Sequence, residues 1–158
     1  MKSSKTYTVQ EALLKLSKYC TYQDRCHQEV ENKLKEMKMI PAARDEIISQ
    51  LIKYDFLNEQ RFALNYARGK FNQKHWGRIR IRQELKRRNI TAKLIDKALD
   101  RISEKAYREK LKTIARKKFD EQNQDKSLKA KARLKNYLLY KGYESQLVFD
   151  ELFFLWEN

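Results

Sequence analysis

The segment from Lys74 to Ile90 reads KHWGRIRIRQELKRRNI and sets isoleucine and leucine at helical spacing among many arginines. On a helical wheel Ile81 and Leu85 mark an inward face, and the arginines lie beside it or point away from it. We predict an amphipathic helix that starts at Gly77 and ends near Asn89. The same pattern of apolar residues occurs before and after this segment, which makes it the middle copy of a repeat.

The repeat consists of apolar residues at fixed offsets from one leucine in each copy. The three sets are Leu34, Met39, Ile47, Ile48 and Leu51, then Leu85, Ile90, Ala98, Leu99 and Ile102, then Leu138, Tyr143, Glu151, Leu152 and Leu155. The copies are 51 and 53 residues apart, and Glu151 is the one polar exception. A period of this size predicts tandem three-helix units. A chance match among short amphipathic helices is the alternative explanation.

Composition agrees with a helical protein, since one proline and three glycines interrupt 158 residues. Each unit is too small to be stable alone, so neighbouring units should pack together. We therefore predict an all-α fold of three tandem three-helix repeats that form an elongated, curved array. The predicted organisation is a flexible N-terminus at residues 1–8 and repeats at residues 9–57, 58–103 and 104–158.

Local signals place several helix boundaries. Pro41 suits the first turn of a helix because its missing N–H is one of the donors left unpaired there, and we expect that helix to end near Phe56. Asn58 and Thr91 are the expected N-caps of two later helices. The polar residues 121–126 are predicted to form a loop.

The net charge of +15 is concentrated in the last two thirds of the chain. Residues 1–60 carry 10 Lys and Arg against 9 Asp and Glu, whereas residues 61–158 carry 26 against 12. Such a clustered basic surface is typical of proteins that bind a phosphate backbone, although an acidic protein or a membrane surface would also be attracted. No apolar run approaches the roughly 20 residues that cross a bilayer, and no signal peptide is visible, so we expect a cytoplasmic protein.

No catalytic motif stands out. The glycines are isolated from one another, so there is no phosphate-binding loop, and no His-Glu-x-x-His motif is present. Cys20, Cys26 and His27 are close in sequence, but zinc needs four ligands and His75 is far along the chain. We expect reduced, half-buried thiols, no metal, no cofactor and no enzymatic activity.

The first basic block surrounds the central helix, with ten basic residues and one acid, Glu84, between Arg68 and Lys93. Like charges at this density repel each other, so a polyanion that relieves the repulsion is the natural partner. Trp76 is expected to anchor the start of the helix in the core, with base stacking as the alternative. The candidate binding residues here are Arg68, Lys70, Lys74, Arg78, Arg80, Arg82, Lys86, Arg87 and Arg88.

A second, lysine-rich block runs from Lys105 to Lys135 and holds twelve basic residues against four acids. It suits diffuse attraction to phosphates, and a solvated pair of helices is the alternative. The candidate residues in this block are Arg116, Lys117, Lys118, Lys129, Lys131 and Arg133. A nearby aromatic cluster, which includes Tyr137, Tyr140 and Tyr143, is expected to be the core and cap of the last unit or a docking patch for a partner.

Two motifs resemble a known family. Residues 56–63 read FLNEQRFA, and Trp76-Gly77 is followed by RIRQEL at residues 80–85 and by Ile90. This arrangement resembles the signature of RecX-type regulators of the bacterial RecA recombinase, and the resemblance extends over residues 9–158.

Arg25, Glu29 and Lys33-Leu34 resemble the family's first-repeat pattern, and the resemblance is specific in the middle unit and weak in the last. Several positions depart from that pattern. Cys26 stands where a capping serine is common, and Asn58-Glu59 replaces an acidic pair. Arg78 and Asn89 stand where the family often has proline and glycine.

The resemblance implies a cytoplasmic, all-helical protein that binds the RecA–DNA filament along its groove. It also implies that the protein inhibits recombinase and ATPase activity by blocking filament growth or destabilising the filament. We expect a monomer without a cofactor. The basic second and third units would engage DNA and acidic recombinase surface, and the near-neutral first unit would contact protein. Two alternatives are a general DNA-binding or nucleoid protein, whose three-helix units resemble helix-turn-helix modules, and a scaffold for acidic proteins.

Overall fold

The computed structural model describes residues 5–158, and over that range it contains nine α-helices and no β-strand. The helices are α1 (Val9–Tyr22), α2 (His27–Glu36), α3 (Pro41–Lys53), α4 (Glu59–Lys74), α5 (Arg78–Arg87), α6 (Ala92–Asp100), α7 (Glu104–Glu121), α8 (Leu128–Lys141) and α9 (Ser145–Glu157). Of the N-terminal segment predicted to be flexible, residues 1–4 lie outside the described residues. Tyr7 packs against the core of the first three helices.

Side-chain caps fix the start of most helices. The side chain of Asn58 accepts a hydrogen bond from the Arg61 N–H at 2.9 Å, and Thr91 caps α6 in the same way, as predicted. Pro41 occupies the first turn of α3, also as predicted. The predicted end of α3 near Phe56 is wrong by about one turn. Asp55 adopts φ 61°, and this left-handed residue turns the chain so that the Phe56 N–H bonds back to the Leu51 carbonyl.

The three-fold repeat is confirmed, and it extends to the backbone. The leucine that starts each copy is fully buried. Four residues after it, at the turn between the second and third helix of each unit, stands a left-handed residue: Lys38 with φ 58°, Asn89 with φ 59° and Gly142 with φ 103°. The fold is therefore a tandem array of α1–α3, α4–α6 and α7–α9. How the chain divides into separately folding domains stays a prediction.

The three units do not have three equal cores. Helices α1–α3 enclose their own apolar cluster, whereas α4–α9 share one cluster that runs through the second and third units. Cys20 belongs to the first cluster and Cys26 to the second. Both cysteines are unpaired and buried, more completely than the half-burial predicted. The second and third units thus form one continuous body.

Candidate nucleic-acid interface

Backbone contact joins the second unit to the third at the start of α5. The Gly77 N–H donates to the Lys141 carbonyl at 2.8 Å, and the Ile79 N–H donates to the Gly142 carbonyl at 3.0 Å. A Cβ at position 77 would lie 2.3 Å from the Gly142 oxygen. Gly77 has φ −82°, which any residue adopts, so glycine is required here by lack of space. The basic helix is thereby held against the end of α8.

Arg78 is part of this junction. Its guanidinium donates to Glu144 at 2.8 Å and also to Glu104, and it lies 3.7 Å from the centroid of the Tyr107 ring. The Tyr107 hydroxyl accepts the Arg78 backbone N–H and donates to Glu144. Burial, together with the bond to Glu144, raises the pKa of Tyr107, while the bond from Arg78 lowers the pKa of Glu104. Arg78 therefore ties α5 to α7 and α9, and its charge is neutralised inside the fold.

Three other arginines of the α5 region also have carboxylate partners. Arg82 pairs with Asp96 at 2.8 Å, and Arg87 and Arg88 share Glu84 at 2.8 and 3.3 Å. The sequence count of one acid among ten bases overstated the free positive charge, because α6, α7 and the start of α9 supply carboxylates from outside the segment. The net field of this helix is weaker than its composition predicts.

Arg80 differs from its neighbours. Its guanidinium carbon lies 4.2 Å from the centroid of the Trp76 ring and 4.5 Å from that of the Tyr140 ring, and its Nη1 donates to the Tyr140 carbonyl. Within residues 5–158 no carboxylate lies within 4.0 Å of it. Arg80 points away from the core of its own unit, as predicted, but it lies against α8 of the third unit. Trp76 packs partly against the shared core, in agreement with its expected anchoring role.

Lysines lie near the Trp76–Arg80 pair. The Lys70 ammonium lies 5.0 Å from the centroid of the Trp76 ring, and the Lys141 ammonium donates to the Lys74 carbonyl at 3.0 Å. Burial lowers the pKa of Lys141, and the charges of Arg80 and Lys74 lower it further. We call the group of Lys70, Lys74, Trp76, Arg80, Tyr140 and Lys141 the cationic seam. It combines four cations with two aromatic rings where the second and third units meet.

Lys141 was not among the predicted binding residues. The repeat contains a signal that would have found it, because Lys141 follows Arg88 by the same 53 residues that separate Leu138 from Leu85. Arg88, the basic residue that directly follows α5, therefore has its equivalent at the end of α8 in the third unit. The seam itself depends on contacts between units, for which the sequence has no local signal.

The remaining predicted residues lie on the surfaces of α4, α5, α7 and α8. Lys118 pairs with Glu121, and the others have no carboxylate within 4.0 Å in the described range. Ten of the fifteen predicted residues have no carboxylate partner in the described range. Three of them are the seam residues Lys70, Lys74 and Arg80, and the other seven are Arg68, Lys86, Arg116, Lys117, Lys129, Lys131 and Arg133. Lys117 lines a cleft of about 540 Å³ beside His75, whereas the structure brings Lys70, Lys74 and Arg80 into the seam. Their role in binding stays a prediction.

Across the part of the chain that the structure describes, no three or more His, Cys, Asp or Glu side chains are grouped as metal ligands. Burial raises the pKa of Cys20 and of Cys26 to about 11. None of the helices from α1 to α9 is both long enough and apolar enough to cross a membrane. The unpaired positive charge is thus the chemical feature that distinguishes this surface.

Comparison with known proteins agrees with the repeat. Residues 58–99 match the family model of the second three-helix domain of RecX, and residues 106–151 match that of the third. This chain belongs to the RecX family. Its similarity to solved structures includes a crystal structure of RecX from Lactobacillus salivarius, with a TM-score of 0.83 and 26% identity over 93% of this chain and 96% of that one.

Several curated relatives carry the name Regulatory protein RecX. The relative from Bacillus cytotoxicus is 28% identical over 89% of this chain and 52% of its own length. The relative from Clostridium acetobutylicum is 30% identical over 75% and 56%, and that from Serratia proteamaculans is 34% identical over 70% and 64%. The chain thus spans about half the length of the Bacillus cytotoxicus relative.

Proposed function

We propose that this RecX-family chain is a regulator of homologous recombination that binds the RecA–DNA filament and inhibits the recombinase and its ATPase. Inhibition would follow from blocked filament growth or from destabilisation of the filament. The observation that carries the proposal is the cationic seam, in which Lys70 and Arg80 lie on aromatic rings, Lys141 is bonded to the Lys74 carbonyl, and none of the four cations has a carboxylate partner in the described residues. The name of the relatives, Regulatory protein RecX, agrees with a regulatory role.

The seam has the chemistry expected of a phosphate-binding site. Repulsion among Lys74, Arg80 and Lys141 opposes the charged state of Lys141, and a phosphate between them would remove that repulsion. Each neutralised phosphate also releases condensed counterions, which makes binding favourable and dependent on salt. The exposed lysines of α7 and α8 would extend the attraction along a DNA backbone.

The first unit has a different surface. It is nearly neutral, whereas the second and third units carry the excess of positive charge. A surface with little net charge suits contact with protein better than contact with phosphates. We propose that this unit contacts the recombinase while the other two face DNA.

The test is the DNA-dependent ATPase and the filament length of RecA at low salt. Addition of the purified protein should lower both, and unchanged values would overturn the proposal. Addition before and after filament assembly distinguishes blocked growth, which acts on growing filaments, from destabilisation, which also shortens preformed ones. Tight binding to naked duplex without an effect beyond competition for DNA would instead indicate a general DNA-binding protein. Absence of DNA binding at low salt would indicate a scaffold.

A triple variant tests the seam directly. The variant combines Lys74→Ala, Arg80→Ala and Lys141→Ala. It should bind DNA more weakly, and the slope of its log affinity against log salt concentration should become shallower by about 0.7 to 0.9 for each lost phosphate contact. The control removes the same charge from the first unit through Lys18→Ala, Lys35→Ala and Lys53→Ala, all at exposed positions. Equal loss of binding in the two variants would show that net charge, and not the seam, determines affinity.

A further inference from the structure

Tyr140 presents an open aromatic face beside concentrated positive charge. Its side chain is 70% exposed, and the Arg80 guanidinium lies 4.5 Å from its ring centroid. Its hydroxyl makes no hydrogen bond within the described residues. Lys141 is close enough to Tyr140, Arg80 and Lys74 for their charges to affect its pKa. The ring therefore stands at the solvent end of a Trp76–Arg80–Tyr140 stack.

Packing explains the other two tyrosines of the cluster, Tyr137 and Tyr143, but not this one. Tyr143 is fully buried, and its hydroxyl donates to the His75 carbonyl at 2.9 Å. Tyr137 is partly buried against the shared core. The side chain of Tyr140 is not buried in this core. Its backbone carbonyl accepts a hydrogen bond from Arg80. The core and cap expected for this tyrosine cluster thus include Tyr143 and Tyr137 and leave Tyr140 outside.

We infer that the exposed ring of Tyr140, backed by Arg80, is a stacking site for an unpaired nucleobase, whose flanking phosphates bind Lys74 and Lys141. The inference rests on the proposed binding of DNA and adds that the protein prefers single-stranded to duplex nucleic acid. It also assigns different roles to the two rings of the stack. Trp76 has cations over it from Lys70 and Arg80 and supports the guanidinium, while Tyr140 receives the base.

The physical reason for the strand preference is the availability of base faces. In a duplex both faces of each internal base are covered by its neighbours, so an aromatic ring gains contact only after unstacking. In a single strand a base can lie on a protein ring, and every base has a π face, so the contact tolerates different sequences. The guanidinium behind the ring and the lysines beside it add attraction for the backbone that carries the base.

The experiment compares three fluorescent ligands of equal length, about 15 nucleotides, in a salt titration: oligo-dT, an abasic strand with the same phosphates, and a duplex. The wild-type protein should bind oligo-dT about tenfold more tightly than the abasic strand. Tyr140→Ala should remove that difference and leave the affinity for the abasic strand unchanged. Tyr140→Phe should keep it, because the ring is retained.

Tyr54→Ala is the matched control, since Tyr54 is 63% exposed in the first unit and has the Lys53 ammonium 5.5 Å from its ring centroid. It should bind all three ligands as the wild type does. Equal binding of oligo-dT and the abasic strand by the wild type, or equal effects of Tyr140→Ala and Tyr54→Ala, would overturn the inference. Circular dichroism and thermal unfolding of each variant establish that the fold is intact.

The test of the stacking site is independent of the test of RecA regulation. If the protein leaves RecA filaments and their ATPase unchanged but Tyr140→Ala lowers binding to oligo-dT, the regulatory proposal fails and the stacking site stands. If filaments are inhibited but oligo-dT and the abasic strand bind equally, the stacking site fails and the regulatory proposal stands.

Discussion

The two junctions between successive units are built in different ways. Side chains hold the first junction: Arg61 of α4 donates to Asp24 at 3.1 Å, Asn65 donates to the same carboxylate, and the His27 N–H donates to Glu59. The second also has side-chain bonds, such as Arg78 to Glu144, but it adds direct backbone contact, where the Gly77 N–H bonds to the Lys141 carbonyl. The first junction separates two apolar clusters, while the second lies within one.

This difference bears on how the array moves. Partly exposed ion pairs and hydrogen bonds contribute little to stability and exchange readily with water. A buried backbone contact leaves no room for adjustment, since even one added carbon would overlap with the neighbouring chain. We therefore expect the first unit to move relative to the other two, and the second and third to present the cationic seam as one rigid surface.

The largest expected effect comes from Gly77→Ala. Its Cβ would lie 2.3 Å from the Gly142 oxygen and 2.6 Å from the Tyr143 nitrogen, so the backbone of two units must separate. We expect a loss of about 3 kcal/mol in the free energy of unfolding, at the upper end of effects from overpacking. Urea denaturation measures it.

Gly69→Ala is the control for that substitution. Gly69 lies inside α4, and no heavy atom would come within 4 Å of its added Cβ. Alanine there should stabilise the protein by about 0.5 to 1 kcal/mol, because glycine loses more backbone entropy in a helix. If Gly77→Ala were as well tolerated as Gly69→Ala, the second junction would not be the rigid one.

The thiols report on the first junction. Cys26 lies at the start of α2 but packs in the cluster of α4–α9, whereas Cys20 packs within the first unit. Opening of the junction exposes Cys26 alone, and unfolding of the first unit exposes both. Burial raises the pKa of both thiols in the closed state, and alkylation takes place from the opened states, in which that effect is lost for both. We expect iodoacetamide to alkylate Cys26 about tenfold faster than Cys20, which corresponds to about 1.4 kcal/mol between the two openings.

Mass spectrometry of single-cysteine variants measures these rates. Added salt should increase the rate at Cys26, because it screens the Arg61–Asp24 pair, and should leave the rate at Cys20 unchanged. Both rates should rise with pH as the thiolate fraction grows. Equal rates at the two cysteines would show that the first unit unfolds as a whole before its junction opens.

Much of this architecture could be predicted from the sequence, because repeated local patterns encode it. The buried leucines, the caps at Asn58 and Thr91 and the start at Pro41 each depend on residues within a few positions of one another. The role of Gly77 could not be predicted locally, since the atoms that exclude a Cβ belong to residues 142 and 143. A signal exists in the repeat, where Cys26, Gly77 and Ala130 occupy the same position and all are small.

The candidate site was harder to predict from the sequence than the fold. Basic composition located the region but did not distinguish Arg78, which two carboxylates neutralise, from Arg80, which has none in the described residues. The acids that decide this, Glu104 and Glu144, lie 26 and 66 residues away along the chain. For Arg78 the free charge therefore depends on pairing between units, which local composition does not contain.

The smallest expected effect concerns the one polar position of the repeat. Glu151 of α9 stands where the other copies have Ile47 and Ala98, and burial raises the pKa of its carboxyl. The folded state therefore holds a proton more tightly than the unfolded state does. Wild-type stability falls as pH rises from the unfolded-state pKa through the raised folded-state pKa, and the loss is complete above both. Glu151→Gln has no such charge, so it should raise Tm at neutral pH by about 2 °C, a small gain because the side chain is partly solvated.

The pH dependence identifies the cause of that gain. Below about pH 4 both forms are neutral, so the Tm difference between Glu151→Gln and the wild type should vanish, as thermal unfolding over a pH series would show. Glu109→Gln removes the same charge from an exposed position on α7 and should not raise Tm at neutral pH. A Tm gain that persists in acid would assign the effect to packing or helix propensity, and the third unit would then have no electrostatic penalty at this position of the repeat.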